Sequence, residues 1–296
     1  MKTVVTLGVC VKNSEASVKD AVESILDQDF PHELMELIVV DGCSEDRTLA
    51  IIEESLSGSD ISSMVFHESE GLGAARQIVV DNARGDYIVW VDGDMVITNG
   101  YVREQVEVME KNPHVGIAKG REVYNGSSLV AVLESMRPLI YRSRKWKSLV
   151  VVGTAGAIHR VEAIKQAGGF DRSIKGANED VELGMRIQYL GWVPALSNPV
   201  FYHTPRQTWQ ALWQEYFWWG YGTHFVRHKH GKRSIALVYE FPPFAFISGV
   251  ATSVYAYRLT HKMVSVLLPL QYFFKNVARC LGYVHSHFDK YGHLQA

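Results

Sequence analysis

The first hundred residues alternate between two hydrophobic patterns, and few folds accept that alternation. TVVTLGVCV, MELIVVD, SSMVFH and YIVWVD are short apolar or β-branched runs, whereas residues 17–26, 48–56 and 74–83 repeat apolar positions at helical spacing. Strand and helix taking turns predicts an α/β chain with a mixed, mostly parallel sheet flanked by helices. Such sheets bind their ligands beyond the carboxyl ends of the strands. Here those ends carry Lys12-Asn13, Asp41-Gly42 and Asp92-Gly93-Asp94.

The rest of the chain narrows the class. A length of 296 residues can bury a full core, and the formal charge of −2 gives no reason to expect a nucleic-acid partner. The three cysteines, Cys10, Cys43 and Cys280, are odd in number and far apart, so they form neither a disulfide framework nor a CxxC metal site. The N-terminal run lacks the long apolar region and cleavage site of a signal peptide and reads as a first strand. After about Lys232 the composition shifts, which divides the chain into residues 1–232 and a hydrophobic helical segment, 233–296. The apolar runs of that segment are broken by Pro242, Pro243 and Pro269 and follow the basic cluster Arg227, Lys229, Lys232 and Arg233. This pattern predicts a segment held at the cytoplasmic side of a membrane, peripherally or as a short hairpin.

Asp92 and Asp94 raise a charge problem. Read as a strand, the run places both carboxylates on one face, where they repel unless something positive lies between them. Carboxylate oxygens suit Mg²⁺ or Mn²⁺, which could also bridge to a diphosphate, and Gly93 leaves room for a ligand to approach. Asp41 lies at another strand end and is followed by Gly-x-Ser, with Asp46 explained as a helix cap. EGLGAARQ, residues 70–77, lacks the third glycine of a dinucleotide loop and reads as a turn into a helix, with Arg76 reaching toward a nucleotide. In AGGFDRSIKGANEDVELG, Glu179 and Asp180 open a helix, where a carboxylate is favoured by the dipole and could also act as a base.

Asp41 with its Gly-x-Ser, the arginine helix, Asp-x-Asp, and GGFD followed by Glu-Asp together resemble the family 2 glycosyltransferases, from about Val4 to Gly222. The resemblance implies a GT-A fold and transfer of a sugar from a UDP- or GDP-sugar with inversion. It implies that Asp41 and Asp92 hold the nucleoside, in a donor pocket also drawing on Asn13, Glu15, Ser44, Arg76, Gly93 and Gly156. Asp94 would bind a divalent cation, Mn²⁺ or Mg²⁺, with His203 completing the site, and Asp180, beside Glu179, would be the general base. Processive members carry Gln-x-x-Arg-Trp where this chain has Gln214-Glu-Tyr-Phe217-Trp218, so the resemblance is to the non-processive type, with Trp218 and Trp219 available to line an acceptor site or a lipid interface.

A base argues for an alcohol acceptor, which the apolar tail would place on a lipid carrier; a polyprenyl phosphate would need a basic cradle instead. A sugar nucleotidyltransferase of related architecture would need a glycine-rich loop where this chain has CVKNSEAS, and a non-catalytic sugar-nucleotide-binding membrane protein would not need Glu179-Asp180. His224, His228 and His230, among basic residues and without a cysteine partner, read as a solvated surface rather than a zinc site.

Overall fold

The computed structural model describes residues 3–143, 153–174, 177–230 and 242–289. The chain divides into two compact units: unit 1 is Met1–Val123, Lys147–Lys175 and Glu179–His203, and unit 2 is Tyr124–Trp146, Gly176–Asn178 and Thr204–Ala296. The boundary expected at residue 232 lies outside the described residues, as do Lys232 and Arg233.

Unit 1 opens as the sequence pattern predicts: β1 (Val5–Val11), α1 (Val18–Leu26), β2 (Met35–Asp41), α2 (Thr48–Leu56), β3 (Ser62–His67), α3 (Leu72–Asn82) and β4 (Tyr87–Trp90). It continues through β5 (Met95–Ile97), α4 (Tyr101–Lys111) and β6 (Val115–Tyr124), whose last residue belongs to unit 2. After α5 (Leu129–Ser143) of unit 2 come β7 (Ala157–Arg160), α6 (Val161–Gln166), α7 (Glu179–Tyr189) and β8 (Val193–His203).

The strands form one sheet in the order β3-β2-β1-β4-β7-β6-β8-β5. β2 is buried along its whole length because both faces of the sheet are covered. Its side chains alternate between two cores, Leu37 and Val39 in one and Ile38 and Val40 in the other. The sheet is less parallel than expected. Pairings β1–β2, β1–β4 and β2–β3 are parallel, but β4–β7, β6–β7 and β5–β8 are antiparallel. The strand-helix alternation that signals parallel pairing ends at β4, and β5 has only three residues, too few to show a pattern.

Unit 2 is helical, with α5, α8 (Trp209–His230), α9 (Pro242–Thr260) and α10 (Leu268–Phe288). α8 and α10 cross closely: a side chain at Gly220 would strike the Arg279 backbone, and one at Gly282 the Phe217 carbonyl. Among the described residues no helix is long and apolar enough to cross a membrane, and the described part of the hydrophobic tail forms the helices α9 and α10. α9 nevertheless exposes Phe244, Phe246, Ile247, Val250 and Val254.

Candidate active site

The carboxyl ends of β1, β2 and β4 form one edge. Asp41, the last residue of β2, is the register partner of Val11, and the Gly42 N–H donates to the Val11 carbonyl at 2.7 Å. Asp41 is buried, and its carboxylate accepts from the Ser44 N–H at 3.0 Å and hydroxyl at 2.6 Å. Ser44 Oγ in turn accepts from the Asn13 N–H at 2.9 Å, and Asn13 Oδ1 from the Glu45 N–H at 2.9 Å. Asn13 takes the left-handed conformation, φ 49°, which asparagine tolerates better than most residues. Glu15 accepts from the Arg47 N–H at 3.0 Å, and Asp46 caps the first turn of α2 through the Thr48 N–H at 3.0 Å. The loops after β1 and β2 are therefore wired together before any ligand arrives.

Asp92 and Asp94 do not lie on a strand. β4 ends at Trp90, and the two residues sit in a turn closed by the Met95 N–H donating to the Asp92 carbonyl at 3.0 Å. Gly93 is required there, because a Cβ would stand 2.8 Å from Val11 Cγ1. Ser17 ties the turn to α1 by donating to the Gly93 carbonyl at 2.7 Å.

The expected positive charge is present in two forms. His203 ends β8 and is the neighbour of Met95 across the β5–β8 pairing. Its Nε2 lies 3.2 Å from Asp94 Oδ1 and its Nδ1 3.0 Å from Glu122 Oε1. Burial alone would pull this imidazole down, but hydrogen bonds to Asp94 and Glu122 overcome it and hold the ring up at about 10. Glu122 was missed by sequence reading. Its only signal is an acidic residue within the largely apolar strand run of β6.

Arg76 supplies the second charge. Expected to reach a nucleotide, it is instead buried in α3, paired with Glu179 and 3.5 Å from Asp92 Oδ1, with its guanidinium 5.8 Å from the Trp90 ring centroid. Glu179, expected beside the base, is only 1% exposed, which leaves it unable to meet an acceptor and makes it the anchor of Arg76. Asp92 is pushed up by burial and by Asp94 and Asp180, against the pull of Arg76 and His203. The field of Asp180 thus reaches the turn.

Asp180 is half-buried at the start of α7. Its Oδ2 accepts from the Thr154 N–H at 3.2 Å and its Oδ1 from the Val181 N–H at 2.7 Å. Gly156 is placed otherwise than expected for donor binding: at φ 60° it packs against the Phe201 ring, and its carbonyl accepts from the Tyr101 hydroxyl at 2.6 Å. In unit 2, Trp218 is 48% exposed and stacks on Tyr221 at 5.6 Å, whereas Trp219 packs on Tyr216 at 4.7 Å with Arg137 over its ring.

The donor set of Asp94 and His203 fits a divalent cation. One carboxylate oxygen and one imidazole nitrogen suit Mn²⁺ or Mg²⁺ once the incoming ion displaces the proton of His203, and two protein ligands leave further positions for other oxygen donors. Glu122 behind His203 has the usual place of an outer partner that fixes the ring and raises its basicity.

Comparison with known proteins gives the family and the fold. The model of Glycosyl transferase family 2 matches residues 6–165, and that of Glycosyl transferase family group 2 matches residues 87–284. The chain is 30% identical over 101 residues to the poly(ribitol-phosphate) beta-N-acetylglucosaminyltransferase TarS of Staphylococcus aureus, 34% of this chain and 18% of that protein. It is 24% identical over 230 residues to a poly-beta-1,6-N-acetyl-D-glucosamine synthase of Staphylococcus epidermidis, 73% of this chain and 53% of that one. The chain thus spans about half the length, or less, of these curated relatives. In fold it resembles the mannosyltransferase PcManGT of Pyrobaculum calidifontis, solved with GDP-Man and Mn²⁺, at TM-score 0.69 and 18% identity over 98% of this chain and 88% of that one. It also resembles TarS solved with UDP, at TM-score 0.53 and 17% identity over 97% and 92% of the two chains.

Proposed function

Because the chain belongs to glycosyl transferase family 2, and is therefore a glycosyltransferase, we propose that it moves a sugar with inversion from a UDP- or GDP-sugar to a hydroxyl acceptor. The observation that carries this reading is the gathering of Asp92, Asp94, Asp180 and His203, supplied by separate segments, within reach of one another's charge.

Asp180 is the general base. Backbone N–H groups of Thr154 and Val181 fix its carboxylate, so the remaining lone pairs have a defined direction. It takes the proton of the acceptor hydroxyl as that oxygen attacks the anomeric carbon and the bond to the diphosphate breaks; attack from the far side gives inversion. Asp41, braced by Ser44 and through it by Asn13, binds the nucleoside together with Asp92, with Glu15 holding the loop after β2 at Arg47. A divalent cation held by Asp94 and His203 would stabilise charge on the leaving diphosphate. Arg76 and Glu179 position Asp92 and the start of α7 without touching substrate. The exposed face of Trp218 suits a sugar acceptor, and the apolar side chains exposed along α9 favour a lipid-linked acceptor met at the cytoplasmic face of a membrane.

Nucleotide release from UDP- and GDP-sugars with Mn²⁺ tests the reading. Asp180→Asn should lower turnover by about 10²- to 10⁴-fold while calorimetry finds donor affinity unchanged. Turnover at the wild-type rate would place the base elsewhere.

A further inference from the structure

We propose that His224, His228 and His287 form a second metal centre, of the zinc type, that staples α8 to α10 within unit 2. In the sequence His224, His228 and His230 stand among basic residues and suggest a solvated surface; the third ligand of the structure is instead His287 of α10, 59 residues after His228 in the chain. His224 and His228 are four residues apart and so share a helix face, the spacing with which paired histidines grip one metal ion. His287 in α10 meets them, and one ligand nitrogen from each of the three lies within 4.8 Å of the others.

The finer geometry agrees. His224 Nε2 is 3.2 Å from His287 Nδ1. Two imidazole nitrogens on a tetrahedral zinc ion, each at about 2.0–2.1 Å, stand about 3.3 Å apart. This pair therefore already has the separation of two ligands, and exposed His228 reaches the third vertex by rotation about its side-chain bonds. His224 is fully buried, with the Tyr283 ring 4.9 Å away and the His228 ring 4.2 Å away, so its direction is fixed by packing. His228 and His287 are exposed, which gives the ion a path in and leaves a fourth position for water.

The ligand type separates this centre from the donor site. Three imidazoles select Zn²⁺, Co²⁺ or Ni²⁺ over Mg²⁺, whereas the carboxylate at Asp94 suits harder ions. Its place suggests its role: His224 follows Gly220 by one turn and His287 follows Gly282 by little more, so the ion would lock the close crossing those glycines allow.

Untagged, metal-stripped full-length protein titrated with Co²⁺ tests this. The expected result is the intense visible absorption of tetrahedral Co²⁺, saturating at one equivalent, displaced by Zn²⁺, retained in Asp94→Asn and lost in His228→Ala. Zn²⁺ should also raise the thermal midpoint of the wild type and leave that of His228→Ala unmoved, circular dichroism confirming that this surface variant folds. No tetrahedral band in the wild type, a band that survives His228→Ala, or one that disappears in Asp94→Asn overturns the proposal.

Discussion

In unit 2 the Lys275 ammonium lies 2.8 Å from Glu134 Oε1, with the Tyr216 and Tyr272 rings 4.8 and 4.9 Å away, and both charged residues are buried. In unit 1 Arg76 contacts two carboxylates, while Asp94 and Glu122 share one imidazole and Asp180 adds its field to Asp92. In the first cluster the Lys275 ammonium meets the Glu134 carboxylate directly, and the Arg279 guanidinium stands 5.4 Å over the same Tyr216 ring. Burial acts to lower Lys275, but Glu134 and the tyrosines more than reverse it and hold its pKa raised, so the ammonium keeps its charge. Among the described residues the second gathers acidic groups around fewer cations and leaves Glu179 Oε2 buried without a hydrogen-bond partner. A balanced cluster orders a core; an overloaded one stores repulsion that a positively charged ligand relieves.

The contrast breaks most readily at Lys275. Lys275→Met should cost about 3–5 kcal/mol in urea unfolding because it strands the buried Glu134 carboxylate, and adding Glu134→Leu should restore most of the loss. If the double variant is no better than the single one, the pair is not self-contained.

In unit 1 Glu122→Gln should leave turnover at saturating Mn²⁺ close to wild type but raise the Mn²⁺ concentration for half-maximal rate about 10- to 100-fold. An unchanged requirement would remove Glu122 from the charge network.

At neutral pH the effect is smallest at His159, which shows itself only in acid: it is buried in β7 against Trp90, with burial and Arg76 pulling its imidazole down to about 3. The unfolded chain takes up this proton near pH 6.5, whereas the folded chain refuses it until about pH 3, so stability must fall as pH drops through that window. His159→Gln should flatten the acid limb of the stability curve by about 1.4 kcal/mol per pH unit. An identical limb in the variant would show that acid sensitivity arises elsewhere.

Where local pattern decided structure, the sequence was legible. α2 and β3 begin and end where helical spacing and a β-branched run say they should, at Thr48–Leu56 and Ser62–His67. Asp41, Asp94, Asp180 and His203 drew attention because each stands at or beside the end of a strand or the start of a helix, and Asp92 because it lies two residues from Asp94. The burial of Arg76 beside Glu179 and Asp92 could not be read because burial is a tertiary property, and a glycine-rich turn does not reveal which way the next helix faces. Glu122 and His287 went unnoticed for the same reason: each gains its meaning from a histidine far away in sequence. The antiparallel half of the sheet was hidden because short strands such as β5 carry no periodicity to read.

The pairing of β5 with β8, with Met95 opposite His203, has an evolutionary corollary. Strand side chains point up and down in strict turn, so His203 keeps company with Asp94 only while the number of residues from the start of β8 to its end preserves parity. Connections that carry no site residue can lengthen at little cost, but an odd insertion or deletion inside β8 would turn the imidazole to the opposite face. Descendants of this chain are thus counted residue by residue along this strand, as they are in the loops that hold Asp41, Asp92 and Asp94.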